Sequence, residues 1–236
     1  MKKFILTMIF WNDGHKDSTR VKNVEFTWPK MKEITQYLKD NGINCDCELY
    51  DFSSEKVITD SVHIPYPVGE FKKSEKLNKI INKNLDYDFI MMNDCDMFFL
   101  KEDYPKVLEI LQTIEYGYLH TFDAAKLGDV DYNILKDENF NLHTLDYSFA
   151  YSGSKSKGPL ADGAKGGLGG IYICDIKLIT ENGGFNENYI GWGGEDGEMM
   201  DKIYYSKNKK EIIPHRDFVP FHLSHHQSWN NVNYFN

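Results

Sequence analysis

Arginine is almost missing from this chain: Arg20 and Arg216 are the only two in 236 residues, and acidic side chains outnumber basic ones to give a formal net charge of −9. No basic block is present, which argues against nucleic acid or an anionic membrane as the main partner; an anion that binds here needs a local cation to bridge it. Cysteine is scarce as well. Cys45, Cys47, Cys95 and Cys174 form neither a finger-type metal spacing nor a disulfide framework, so a reducing cytoplasm is the expected home. No apolar run approaches the roughly 18 residues of a membrane-spanning helix. The start, Met1-Lys2-Lys3 followed by Phe4 to Trp11, has the outline of a signal peptide. Its apolar part is short, lacks a small-residue cleavage site and runs into Asn12-Asp13-Gly14, so it reads as a first buried strand.

What is present suits one large α/β domain, with 41% hydrophobic and 14% aromatic residues. A strand over about 4–10 precedes a polar loop. Then comes a helix with Pro29 suited to its first turn and with Met31, Ile34, Tyr37 and Leu38 as its apolar stripe, closed by Asn41-Gly42. Residues 45–52 alternate as a second strand. A helix over 71–85 follows, with Ser74 a candidate cap and Leu77, Ile80 and Ile81 facing inward, and it feeds a strand ending at Asp94. This strand-helix rhythm predicts a mostly parallel open sheet, Rossmann-like, with ligands at the carboxyl ends of the strands. Further on, a helix over 105–114, strands over 116–122 and 171–174, and helices over 176–181 and to about 205 are expected. The glycine-rich stretch 151–170 reads as loops, and 212–225 as one extended segment held to an edge by Pro214 and Pro220.

Two clusters carry chemistry. Tyr87 to Phe99 is an apolar run interrupted by Asp94-Cys95-Asp96. On an extended chain residues two apart share a face, so both carboxylates converge there, and a divalent cation would neutralise them. An Asp-x-Asp alone is common in solvated turns. The second cluster, Gly191-Trp192-Gly193-Gly194-Glu195-Asp196, is more specific. Glycines on either side of Trp192 let the backbone approach a ligand, and the indole offers a flat face for a sugar ring. Glu195 and Asp196 fall at a helix N-terminus, where a carboxylate is held ionised and can accept a proton from a hydroxyl.

The segment from Gly169 to Asp196, with Asp94-Cys95-Asp96 and the histidine-rich tail, resembles the signature of the beta-1,4-galactosyltransferases. It is also similar to that of the chondroitin-polymerase and polypeptide N-acetylgalactosaminyltransferase groups. The resemblance implies a GT-A fold with a smaller acceptor-side part, a single domain over 1–236 in which 1–100 is the nucleotide-binding half and 101–236 carries the acceptor half and a metal-ligating tail. It implies Asp96 and Asp94 as ligands of Mn2+ or Mg2+, His225 as the favoured third ligand with His222 second, and Asp196 as catalytic base with Glu195 organising the acceptor. Trp192, Gly193 and Gly194 would touch acceptor and donor sugar. Lys73, Asn78, Gly169 and Gly170 are the candidates to hold the nucleotide, together with Asp94. Where the family has a further acidic residue after the base, this chain has Gly197 and then Glu198.

The implied activity is transfer of a hexose or N-acetylhexosamine from a UDP-sugar to a hydroxyl of a glycan acceptor, with inversion. Lysine abundance and the resemblance together imply a bacterial enzyme of surface polysaccharide synthesis, cytoplasmic and peripheral at the inner face of the membrane. Three other readings stand beside it: a retaining transferase with the same metal site, a glycosidase using paired carboxylates, and a non-catalytic sugar-binding module of the same fold.

Overall fold

The structure is a computed structural model and describes residues 1–12, 19–67, 72–127, 147–149, 170–190, 194–215 and 219–223. In chain order the elements are β1 (Lys3–Phe10), α1 (Thr19–Asp40), β2 (Asn44–Asp51), β3 (Val62–His63), α2 (Lys73–Lys83), β4 (Phe89–Asp94), β5 (Met97–Phe98), α3 (Tyr104–Thr113), β6 (Tyr118–Phe122), β7 (Ala125–Leu127) and β8 (Tyr147–Phe149). They continue with β9 (Ile171–Asp175), α4 (Ile176–Glu181), α5 (Glu195–Tyr204), β10 (Glu211–His215) and β11 (Phe221–His222).

A seven-stranded sheet in the order β10-β6-β9-β4-β1-β2-β3 forms the centre, and only β9 runs against the direction of the other strands. The central strands β1, β4 and β9 are buried on both faces, as strands covered by helices must be. Phe4, Leu6, Met8 and Phe10 of β1 pack into one core beneath α1 and α3, while Ile5 and Ile9 pack into the other with α2, α4 and α5. Because β9 lies between β4 and β6, the first hundred residues and the remainder contribute to the same sheet. A smaller sheet, β5-β11-β7-β8, sits at one end and packs Phe98 and Phe221 against Phe26 of α1.

The mostly parallel α/β architecture is as expected, with corrections. Helix α1 begins at Thr19, so Pro29 stands in its interior rather than its first turn. Burial of Val24, Trp28, Met31, Ile34 and Leu38 offsets the lost backbone bond, and Pro29 is on the exposed side, where water can replace the missing donor. Ser74 is not a cap: the helix starts at Lys73, and Ser74 is turned into the core with Leu77. Residues 212–225 are not one edge strand. Strand β10 does lie on the edge of the large sheet, but β11 is paired on both sides in the small one.

Candidate active site

Alternation along β4 sends Phe89, Met91 and Asn93 toward α1 and α3, and Ile90 and Met92 toward α2 and α5, so Asp94 emerges on the α2 side at the strand's carboxyl end. There the extended chain stops. Cys95 and Asp96 form a turn into β5, so Asp94 and Asp96 do not share one strand face as expected; Cys95 is buried in the α1 core. Three separate parts of the protein, and Asn93 of β4 itself, hold the backbone of this turn. The Asp94 N–H donates to the Gly170 carbonyl (2.8 Å), and the Thr27 hydroxyl of α1 donates to the Cys95 carbonyl (2.6 Å). The Leu223 N–H donates to the Asp96 carbonyl (2.8 Å), and the Asn93 amide donates to the Met97 carbonyl (3.0 Å). Gly170 has φ +109°, and a Cβ there would lie 1.9 Å from Met97 Sδ, so glycine is required for this approach.

Above the turn, Lys73 from the first turn of α2 meets three carboxylates. Its Nζ lies 3.2 Å from Asp94 Oδ2, 3.2 Å from Asp196 Oδ2 and 3.6 Å from Glu195 Oε1. Lys73, Glu195 and Asp196 are all buried, and the two acids belong to the first turn of α5, which begins after Gly194 at φ +89°. Burial disfavours the Lys73 charge, yet Asp196, Asp94 and Glu195 outweigh that and hold its pKa well above the ordinary lysine value. For Asp196 burial dominates: it raises the pKa to about 7, against the pull of Lys73 and with Glu195 and Asp94 adding to the rise. The helix N-terminus alone was expected to keep this group ionised; desolvation places its titration near neutrality instead, which suits a group that must take up a proton. Neither Glu195 oxygen has a hydrogen-bond partner among the described residues, and neither does Asp196 Oδ1, so polar atoms face the site awaiting donors.

On the other side of the turn, pairing of β11 with β5 sets His222 opposite Met97, and its Nε2 lies 3.7 Å from Asp96 Oδ1. Among the described residues no group of three or more His, Cys, Asp and Glu side chains is placed to hold a metal ion. The donor types at the turn, the carboxylate oxygens of Asp94 and Asp96 and the His222 imidazole beside Asp96, are ones accepted by a divalent cation that also binds a nucleotide's phosphates, since such ions take few protein ligands and prefer hard oxygen with nitrogen tolerated. Asp94, Asp96 and His222 are the residues that would hold it.

The other expected site residues divide. Asn78 is engaged elsewhere, where its side chain accepts from the Phe185 N–H (2.9 Å) and donates to the Phe185 carbonyl (2.9 Å) and Glu187 (2.8 Å), fixing the approach to α5. Gly170 and Gly194 act through their backbones as described above. Gly169, Trp192, Gly193 and His225 lie outside the described residues. Sequence reasoning missed Thr27 and Asn93, which brace the turn from below. A polar Asn93 on the core-facing side of an otherwise apolar strand was the available signal.

The doubly covered, mostly parallel sheet is that of the GT-A glycosyltransferase structures that the chain resembles. Residues 157–226 match the family model described as the N-terminal domain of galactosyltransferase. Polypeptide N-acetylgalactosaminyltransferase 3 of Drosophila melanogaster is 28% identical over 109 residues, 46% of this chain and 16% of that protein, so the chain spans only a small part of that relative's length. Among solved structures, GalNAc-T7 with UDP, GalNAc and Mn2+ superposes with a TM-score of 0.57 at 13% identity, covering 98% of this chain and 45% of that one. A mutant of Drosophila beta-1,4-galactosyltransferase 7 in complex with manganese, UDP-Gal and xylobiose gives a TM-score of 0.53 at 16% identity, covering 100% of this chain and 77% of that one. Staphylococcus aureus TarS gives 0.53 at 14% identity, over 95% and 37%. At these identities the likeness establishes the fold. Among the described residues no helix is long and apolar enough to cross a membrane.

Proposed function

We propose that the chain is a metal-dependent glycosyltransferase that moves a hexose or N-acetylhexosamine from a UDP-sugar to a hydroxyl of a glycan acceptor, with inversion at the anomeric carbon. One observation carries this reading: Asp196, the candidate base, and Asp94, a candidate metal ligand, each lie 3.2 Å from the same Lys73 ammonium. The solved structures that resemble the chain support the donor and ion, since two of them are complexes of manganese or Mn2+ with a uridine nucleotide.

A divalent ion held by Asp94, Asp96 and His222 would act as a Lewis acid toward the leaving diphosphate. The remaining roles belong to the chain. Asp196, with its pKa near 7, takes the proton of the acceptor hydroxyl; the oxygen attacks the anomeric carbon, and the bond to the diphosphate breaks with its electron pair leaving on UDP. Glu195 offers two acceptor oxygens to the hydroxyls of the incoming sugar. Lys73 keeps the carboxylates together at a fixed spacing. Trp192, Gly193, Gly194, Gly169 and Gly170 complete the sugar and nucleotide contacts, and His225 is a further candidate metal ligand. The resemblance to the chondroitin-polymerase group, taken with the lysine-rich, arginine-poor composition, is the ground for proposing a bacterial surface polysaccharide as the product, made in the cytoplasm at the inner face of the membrane.

A panel of UDP-sugars tested for thermal stabilisation and UDP release, with Mn2+ and with a chelator, checks the proposal. One donor should stabilise and turn over only with metal, and the anomeric configuration of the product, read by NMR, should be inverted. Retention would overturn the role of Asp196, and metal-independent hydrolysis of a simple glycoside would overturn the transferase reading.

A further inference from the structure

The face of β4 opposite the carboxylates has a small, partly open pocket beneath the Asp94–Asp96 turn, between α1, α3 and β5. Its walls include Thr27, Met31, Met97, Phe99, Asn93 and Tyr104, and it holds ≈ 10 Å³ of room for water centres. That is about the least space in which one water fits. Two of the wall residues bring polar atoms that nothing among the described residues satisfies: Asn93 Oδ1 and the Tyr104 hydroxyl, on side chains 3% exposed in each case. The Asn93 orientation is fixed by chemistry. The Met97 carbonyl can only accept, so the amide NH2 faces it at 3.0 Å and Oδ1 is left without a partner. A buried amide oxygen and a buried phenol without partners cost stability, and a water bonded to both would remove that cost.

We propose that Asn93 is a positioning residue for the metal-binding turn, locked in place by a buried water that it shares with Tyr104. Asn93 closes the turn from Asp94 to Asp96 by holding the Met97 carbonyl, and the Thr27 hydroxyl holds the Cys95 carbonyl between them. The water accepts or donates at Tyr104 and donates to Asn93 Oδ1, so the amide cannot rotate away from Met97. Helix α1, helix α3 and the turn are thereby linked by polar contacts on the side of the sheet away from substrate. The inference rests on the metal reading above and deepens it: Asn93 touches no substrate and acts through the placement of Asp94 and Asp96.

The test is calorimetric titration of the intact chain with Mn2+ alone, alongside thermal unfolding. Asn93→Leu should weaken Mn2+ binding by about 10- to 100-fold, the usual effect of losing an outer support of a metal ligand. Tyr104→Phe, which keeps the ring and its packing, should weaken binding by a smaller factor. The double variant should bind as Asn93→Leu does, because both changes remove the same bridge. Lowered unfolding temperature with unchanged Mn2+ affinity, or fully additive losses in the double variant, would overturn the inference. If Asn93→Leu does not fold, Tyr104→Phe decides alone, and wild-type affinity in it counts against the bridge. A wild-type chain that binds no Mn2+ overturns the metal reading itself, a result distinct from wild-type binding that Asn93→Leu leaves unchanged. A crystal structure should show a water within hydrogen-bond distance of both Asn93 Oδ1 and Tyr104 Oη.

Discussion

Replacing Lys73 with Met removes the cation shared by the buried Glu195 and Asp196 and the half-buried Asp94, and leaves the side-chain volume nearly unchanged. Taking one partner from a buried ion pair typically costs about 3–5 kcal/mol. For a domain of this size each kcal/mol shifts the unfolding temperature by about 2–4 °C, so a drop of roughly 6–20 °C is expected at pH 8. The loss must depend on pH. In the wild type Lys73 has a raised pKa, so its contribution is complete below the ordinary lysine value and adds no slope between pH 5 and 8. Asp196, raised from 3.8 to about 7, binds more protons folded than unfolded in that interval, so its ionisation lowers stability as pH rises toward 7. Without Lys73 that rise in pKa grows and the destabilisation extends to higher pH. Unfolding temperatures of wild type and Lys73→Met should therefore lie close together at pH 5 and diverge by pH 8, and Mn2+ should narrow the gap by supplying charge at Asp94. Equal drops at both pH values, or none, would refute the electrostatic role of Lys73.

Other outcomes follow from the same geometry. Asp196→Asn should keep Mn2+-dependent nucleotide binding by calorimetry while turnover falls about 10²- to 10⁴-fold, the range of general-base assistance. Asp96→Ala should abolish the metal dependence of nucleotide binding, and undiminished affinity would remove Asp96 from the ligand set. Gly170→Ala should unfold at lower temperature, because a Cβ would meet Met97 Sδ at 1.9 Å and φ is +109°. His120, whose pKa burial and the neighbouring His215 lower to about 4, binds fewer protons folded than unfolded below its ordinary value of 6.5. Stability from this group is lost as pH falls from about 6.5 to 4, so His120→Gln should flatten the acid side of the stability profile.

The sheet was legible because periodicity reports burial directly. The apolar run of β4 and the stripe Leu77, Ile80, Ile81 reflect which surfaces are dry, and the structure buries those residues. Turn chemistry was less legible. Asp94 and Asp96 are two apart whether the chain is extended or turned, and only tertiary contacts from Thr27, Gly170 and Leu223 decide between the two. Local rules also misplaced Pro29 and Ser74, since each was judged by its own preference and both positions are governed by what the helix packs against. Lys73 was singled out as a nucleotide contact because a lone lysine in a sequence gives no sign of the acids it meets. Its three partners lie 21, 122 and 123 positions away, joined only when α2 and α5 pack on the same face of the sheet.

Anomalous diffraction at the manganese edge, from crystals grown with Mn2+ and UDP, addresses the central claim most directly. A single strong peak coordinated by Asp94 or Asp96 and by an imidazole of the tail, beside the nucleotide phosphates and on the α5 side of the turn, is the expected result. A peak elsewhere, or UDP bound with no metal between its phosphates and these carboxylates, would contradict it.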